Sequence, residues 1–204
     1  MPLSLAIDRL TCVRGPRVVF KNLSLVAEAG AMVSVVGPNG AGKSSLLRML
    51  AGFIRPAAGE ILFQHNDQKI TDGEERAGFA GWLGHLDAIK PQMAVREQIL
   101  FWSRLYAAGR DPSEAMTSFG LTRLAELPGQ YLSAGQRRRL ALARLWLSAR
   151  PLWLLDEPLA ALDADGKALV ARALETHCAA GGIALAATHE PLGVAGQTLQ
   201  LGAA

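Results

Sequence analysis

Apolar residues follow two rhythms along this 204-residue chain. Short unbroken runs rich in Val, Ile and Leu stand at Met32 to Val36, Leu152 to Leu155 and Ile183 to Ala187, as expected of strands covered on both faces. Between them lie longer stretches with helical spacing, including Asp165 to Ala179, which ends before the Gly181-Gly182 turn. Strands alternating with helices predict an α/β fold with a mainly parallel core sheet. The first thirty residues differ: LSLAIDRLTCV and RVVFKNLSLVAEAG read as strands joined by a Gly15-Pro16 turn, an antiparallel β section. After Val36 a glycine-rich loop opens into a helix, SSLLRMLAGF, closed by Gly52 and Pro56. A further strand pair is expected at Glu60 to Gln64 and Ala77 to Leu83. From Ala94 to Leu147 the strand pattern vanishes, and VREQILFWSRLYAA places Val95, Ile99, Trp102 and Leu105 on one helical face. The expected organisation is a single domain, with residues 1–85 and 150–204 forming the core and 86–149 an inserted helical subdomain.

Half of the residues are apolar and 19% are charged, a balance that raises the question of a membrane span. The apolar runs are too broken for one, since Arg144 and Arg150 interrupt Leu140 to Leu155. The opening MPLSLAIDRL reaches Asp8 and Arg9 before a signal-peptide core forms, so a cytoplasmic location is expected. Cys12 and Cys178 are too few and too far apart for a zinc site or a disulfide framework and read as small apolar fillers. The net charge of +3 is modest and, apart from Arg137 to Arg139, scattered; no nucleic-acid partner is expected.

Gly37, Pro38, Asn39, Gly40, Ala41, Gly42, Lys43 and Ser44 spell G-x-x-x-x-G-K-[ST] between a strand and a helix, with Ser45 following. The glycines permit the dihedrals and the close approach that wrapping a polyphosphate requires, while backbone N–H groups and the positive helix end face the anion. Lys43 is the expected contact to the β and γ phosphates of ATP, and the Ser44 hydroxyl the expected ligand of Mg2+. A glycine-rich turn with an incidental lysine is the alternative, and the strand before it and helix after it argue against that.

In PLWLLDEP, Asp156 and Glu157 emerge where a buried strand leaves the carboxyl edge of the sheet, the edge at which such folds hold phosphates. Asp156 suits a Mg2+ contact and Glu157 suits activation of the water that attacks the γ-phosphate. Alone, the pair could be a solvated turn before Pro158; with the upstream loop it reads as half of a nucleotide site.

The segment LSAGQRRRLALARL, Leu132 to Leu145, resembles the signature loop of ABC ATPases, and it separates them from other P-loop enzymes. The resemblance implies that Ser133, Ala134, Gly135 and Gln136, at a helix N-terminus, face the γ-phosphate held by a second copy. Ala160 to Asp163 resembles the D-loop, bringing Asp163 to the same interface, and Thr188-His189 resembles the switch histidine, a γ-phosphate sensor. Two copies sandwiching two ATP molecules follow from the family alone. His65 and His177 read as surface residues without a role.

Three positions depart from the common ABC pattern. Arg14 stands where an aromatic residue usually stacks on adenine, Ala134 replaces the second signature glycine, and His85 replaces the glutamine that links Mg2+ to the membrane-facing groove. His85 is thereby a candidate both for metal binding and for holding the attacking water. With WLGHLDAIKPQMAVREQ and LSAGQRRRLALARLW, these departures resemble the CcmA branch, which handles haem in cytochrome c maturation. That branch implies membrane partners resembling CcmB and CcmC, a link to the haem chaperone CcmE, and a peripheral place on the cytoplasmic face of the bacterial inner membrane. Alternatives are another short exporter of lipid, drug or peptide, a non-transport ABC ATPase, and a P-loop kinase or GTPase. The last has no use for a signature loop. No C-x-x-C-H haem motif occurs, so haem would be handled by partners.

Overall fold

A computed structural model describes residues 3–66 and 68–202. Two sheets organise it. Strands β1 (Ser4–Arg14) and β2 (Arg17–Glu28) form the expected antiparallel hairpin, with Gly15 turning at a φ of 57°. β4 (Ala58–His65) pairs with the free side of β1, and β5 (Gln68–Ile70) pairs with β4. The second sheet is wholly parallel, in the order β6 (Ala80–Leu83), β7 (Leu152–Asp156), β8 (Ile183–Ala187), β3 (Met32–Val36) and β9 (Gln197–Gln200). The two segments expected to pair with each other therefore separate. Glu60 to Gln64 lies in the antiparallel sheet, whereas only Ala80 onward is strand in the second segment, and it joins β7.

Alternation along the parallel strands builds two cores, because successive side chains point to opposite faces. Leu152 and Leu154 join Val33, Val35 and Leu185 on one face, packing under helix α1 (Lys43–Leu50) and against Leu5, Ile7 and Phe63 of the antiparallel sheet. Trp153 and Leu155 face the other way and meet α5 (Ala134–Leu147) and α6 (Ala164–Ala179). Burial of every residue in β7 and β8 explains their unbroken apolar runs.

Arg76 in the short helix α2 (Gly73–Ala77) is buried and donates to the carbonyls of Met49, Leu50 and Thr71. It caps the end of α1 with charge of the favourable sign. Between β6 and β7 the ordered elements are helical, led by α3 (Val95–Tyr106), α4 (Pro112–Ser118) and α5. On α3, Val95 and Ile99 are buried as expected and Trp102 packs at the margin, but Leu105 is 59% exposed. In the last turn of that helix Tyr106, stacked on Trp102, takes the packed position and Leu105 faces away. His177 also differs from expectation. It is buried, stacked at 4.0 Å on Trp153, with Nε2 3.2 Å from the Ile183 carbonyl. Burial pushes its pKa from 6.5 down to about 4.

Candidate functional site

Three neighbouring parallel strands deliver the site. β3 ends in the glycine-rich loop, β7 ends in Asp156 and runs on into Glu157, and β8 leads through Thr188 to His189. Their carboxyl ends lie side by side, where an open α/β sheet leaves room for a ligand.

The loop adopts the conformation its glycines foretell: Gly37, Gly40 and Gly42 have φ of 147°, 81° and 100°. At Gly42 an added Cβ would lie 2.5 Å from Val19 Cγ1, so glycine is required by space as well as by dihedral. Lys43 opens α1 and is buried, its Nζ 2.8 Å from the Gly37 carbonyl, 3.3 Å from that of Pro38 and 3.1 Å from His189 Nε2. Ser44 Oγ donates to Asp156 Oδ1 at 2.9 Å, which satisfies a carboxylate only 4% exposed. A hydroxyl and a carboxylate oxygen side by side at a phosphate-binding loop form a hard oxygen donor set, which fits Mg2+ completed by phosphate and water.

Glu157 has a φ of 50°, in the left-handed region that costs a non-glycine residue about 1–2 kcal/mol. Its N–H bonds the Ala187 carbonyl, and its carbonyl accepts from Ala160 N–H, so the turn is held from both sides. The result aims the carboxylate at His189, with Oε1 3.4 Å from Nε2. Thr188 shapes the other approach, since its Oγ1 donates to the Glu190 carbonyl and accepts from the Glu190 N–H.

Lys43, Ser44, Asp156, Glu157 and His189 line one cavity of about 460 Å3 with Asn39, Gly40, Gly42, Ser45 and His85. The structure thus brings the loop, both carboxylates, His189 and His85 together. Val19 also lines it, a position with no sequence signal beyond lying on a β strand. Arg14 is not among the lining residues; it sits exposed at the end of the hairpin, paired in register with Arg17. A slightly larger cavity of about 510 Å3, bounded by Gly52, Arg55, Asp72 and Arg76, contains none of the expected residues.

The signature residues stand outside the cavity. Ser133 caps α5: its Oγ accepts from Gln136 N–H at 3.2 Å, and Gln136 Oε1 accepts from Ser133 N–H at 2.8 Å. Ser133 and Ala134 are exposed at this helix end. A Cβ on Gly135 would lie 2.8 Å from the Ala161 carbonyl, so the signature turn and the D-loop of one chain lie in contact. Asp163 caps α6 through Gly166 N–H at 2.8 Å. Of the Arg137 to Arg139 run, Arg138 is buried, and each of the three guanidiniums donates to backbone carbonyl oxygen of its own chain.

Residues 20–160 match the ABC transporter family. The chain belongs to that family. Among curated relatives it is similar to the cytochrome c biogenesis ATP-binding export protein CcmA of Nitrobacter winogradskyi, 48% identical over 96% of both chains. The CcmA of Rhodopseudomonas palustris strain BisB18 is 50% identical, again over 96% of both chains. Solved structures share the fold at lower identity. An ABC transporter ATP-binding protein from Pyrococcus furiosus superposes with a TM-score of 0.82 at 24% identity over 97% of each chain. An ATP-binding cassette solved as a dimer in a post-hydrolysis state with ADP and Pi gives 0.78 at 24% identity, over 97% of this chain and 94% of that one. Within the ABC transporters the chain stands with the CcmA proteins. No helix among the described residues is long and apolar enough to cross a membrane.

Proposed function

We propose that this ABC ATPase hydrolyses ATP to drive the cytochrome c maturation transporter, as a homodimer peripheral to the cytoplasmic face of the bacterial inner membrane. The observation that carries the hydrolytic part is the convergence of Lys43, Ser44, Asp156, Glu157, His189 and His85 on one cavity. Near-half identity along almost the whole length of CcmA proteins supports the maturation role.

Lys43 and the loop N–H groups of Gly37 to Ser44 bind the β and γ phosphates. Ser44 and Asp156 would hold Mg2+, with His85 lining the same cavity, and the ion would supply charge that neutralises the phosphates. Glu157 accepts a proton from water as the water oxygen bonds the γ-phosphorus and the bond to the ADP oxygen breaks, leaving ADP and phosphate. His189 holds the γ-phosphate beside that carboxylate, and His85 orients the water from the other flank. Arg14 is the proposed adenine contact, from its exposed place at the hairpin end beyond the cavity lining. Ser133, Ala134, Gly135, Gln136 and Asp163 meet the nucleotide of the second copy, and their place beyond the cavity, with Ser133, Ala134 and Asp163 exposed, supports that reading. Membrane subunits resembling CcmB and CcmC, linked to the chaperone CcmE, take up the motion. Exposed Leu86, Phe101 and Leu105 support contact with such partners.

Glu157→Gln keeps the shape and removes the base. It is expected to retain ATP binding while turnover falls by about a hundredfold or more, in the range of general-base contributions. Undiminished hydrolysis would take the role from Glu157.

A further inference from the structure

Besides Arg76, which caps α1, a second buried cation is used by none of these steps. Arg138 lies one turn into α5, only 4% exposed. A guanidinium has five N–H donors in a rigid fork. In Arg138 each has an acceptor: Nε reaches the Pro158 carbonyl at 3.4 Å, Nη1 the Gly84 carbonyl at 2.8 Å and Asp87 Oδ1 at 2.9 Å, and Nη2 the Asp156 and Glu157 carbonyls at 2.7 and 2.6 Å. Three of these five acceptors are consecutive carbonyls of the turn that holds Glu157 at its positive φ. A fourth is the residue immediately before His85.

We propose that Arg138 is a positioning residue for hydrolysis, fixing the Glu157 carboxylate and the His85 segment at a set separation on opposite sides of the attacking water. The proposal rests on the reading of Glu157 as the base. Strain at Glu157 gives the turn a reason to relax, and a neutral side chain at 138 would take a donor from each of four carbonyls, that of Glu157 keeping Ala160 N–H. The guanidinium does what an ammonium cannot, because three donors on a point charge cannot span five acceptors in a plane. α5 also begins with Ser133 and Gly135, so any shift of that helix is transmitted to the carboxylate through a single rigid side chain.

The test compares wild type, Arg138→Lys and Glu157→Gln as intact chains, recovered from host membranes with the partners they carry. Turnover, KM for ATP, ADP affinity and Tm are measured for each. Arg138→Lys is expected to lower kcat about tenfold or more, the effect of losing charged hydrogen bonds that fix a catalytic geometry, with KM and ADP affinity within about twofold of wild type. Wild-type kcat in Arg138→Lys would overturn the proposal. So would kcat, affinity and Tm falling together, which is the behaviour of a core strut. Should Arg138→Lys fail to fold, Asp87→Asn takes the charge from one of the five contacts while keeping its accepting oxygen, on a partly exposed partner, and decides the matter. It is expected to lower kcat about threefold at unchanged KM, as loss of part of one charged bond would, and unchanged kcat would overturn the proposal. Glu157→Gln separates the two ideas. If it turns over normally, the base assignment fails; if it is inactive while Arg138→Lys is normal, only the positioning role fails.

Discussion

Single residues in this protein carry chemistry through their backbone as much as through their side chains. Glu157 can reach His189 because its φ is positive, and it holds that φ because the Ala187 carbonyl and Ala160 N–H bracket it. Lys43 acts through the loop that precedes it, and Lys43→Ala is expected to weaken nucleotide binding itself, in contrast to Glu157→Gln. His177 shows a titratable group whose effect is on stability. The folded chain keeps its ring neutral down to about pH 4, while the unfolded chain protonates near 6.5. Between those values protons favour unfolding, so the stability is fully present above pH 6.5 and drains away as pH falls to about 4. The loss approaches about 3 kcal/mol as an upper figure. His177→Phe keeps the stack on Trp153 and is expected to flatten the urea-midpoint decline across that window; an unchanged slope would show that other groups cause it. Gly182 in LETHCAAGG lies against the His177 ring, but nothing in that stretch marks the histidine as buried, since its stacking partner Trp153 is brought in by the sheet. Lys43, Ser44, Asp156 and Glu157 were legible because phosphate chemistry demands those types at fixed spacing. Val19 and Arg138 were not, because their partners are distant in sequence.

At the level of elements, α5 combines two requirements. In the proposed dimer its first residues meet the partner's ligand, yet a helix start must satisfy its own N–H groups. The Ser133–Gln136 capping box meets the second requirement within the chain. Ser133→Ala is therefore expected to cost about 1 kcal/mol of stability, seen as a lower denaturation midpoint, besides impairing hydrolysis. Ser133→Gly separates these effects, because glycine at an N-cap costs only a few tenths of a kcal/mol, and activity should still be lost. Full activity in Ser133→Gly would remove the hydroxyl from the composite site. The β hairpin, the loop-to-helix transition and the buried strands could be read from pattern because each has a local signature. The pairing of Glu60 to Gln64 could not, because register is chosen by the sheet that receives a strand. β9 was missed for a related reason: it is an edge strand, and within Gln197–Gln200 only Leu199 is buried.

For the whole molecule, the two-core architecture leaves the nucleotide cavity and the signature turn on separate parts of one chain's surface. A ligand touching both only in a closed pair must favour closure. Glu157→Gln is accordingly expected to run as a dimer by light scattering with ATP and as a monomer with ADP. A monomer with ATP bound would contradict the shared site. The fold and the cavity that gathers Lys43, Ser44, Asp156 and Glu157 belong to the chain itself, whereas its task depends on what it drives. The most direct test is to express Glu157→Gln in the native host, solubilise the membranes gently and identify by mass spectrometry what copurifies. Recovery of two membrane subunits with a haem-bearing chaperone is predicted. A different permease would leave the ATPase and contradict its place in cytochrome c maturation, and a chain recovered without any membrane partner would contradict the transporter account.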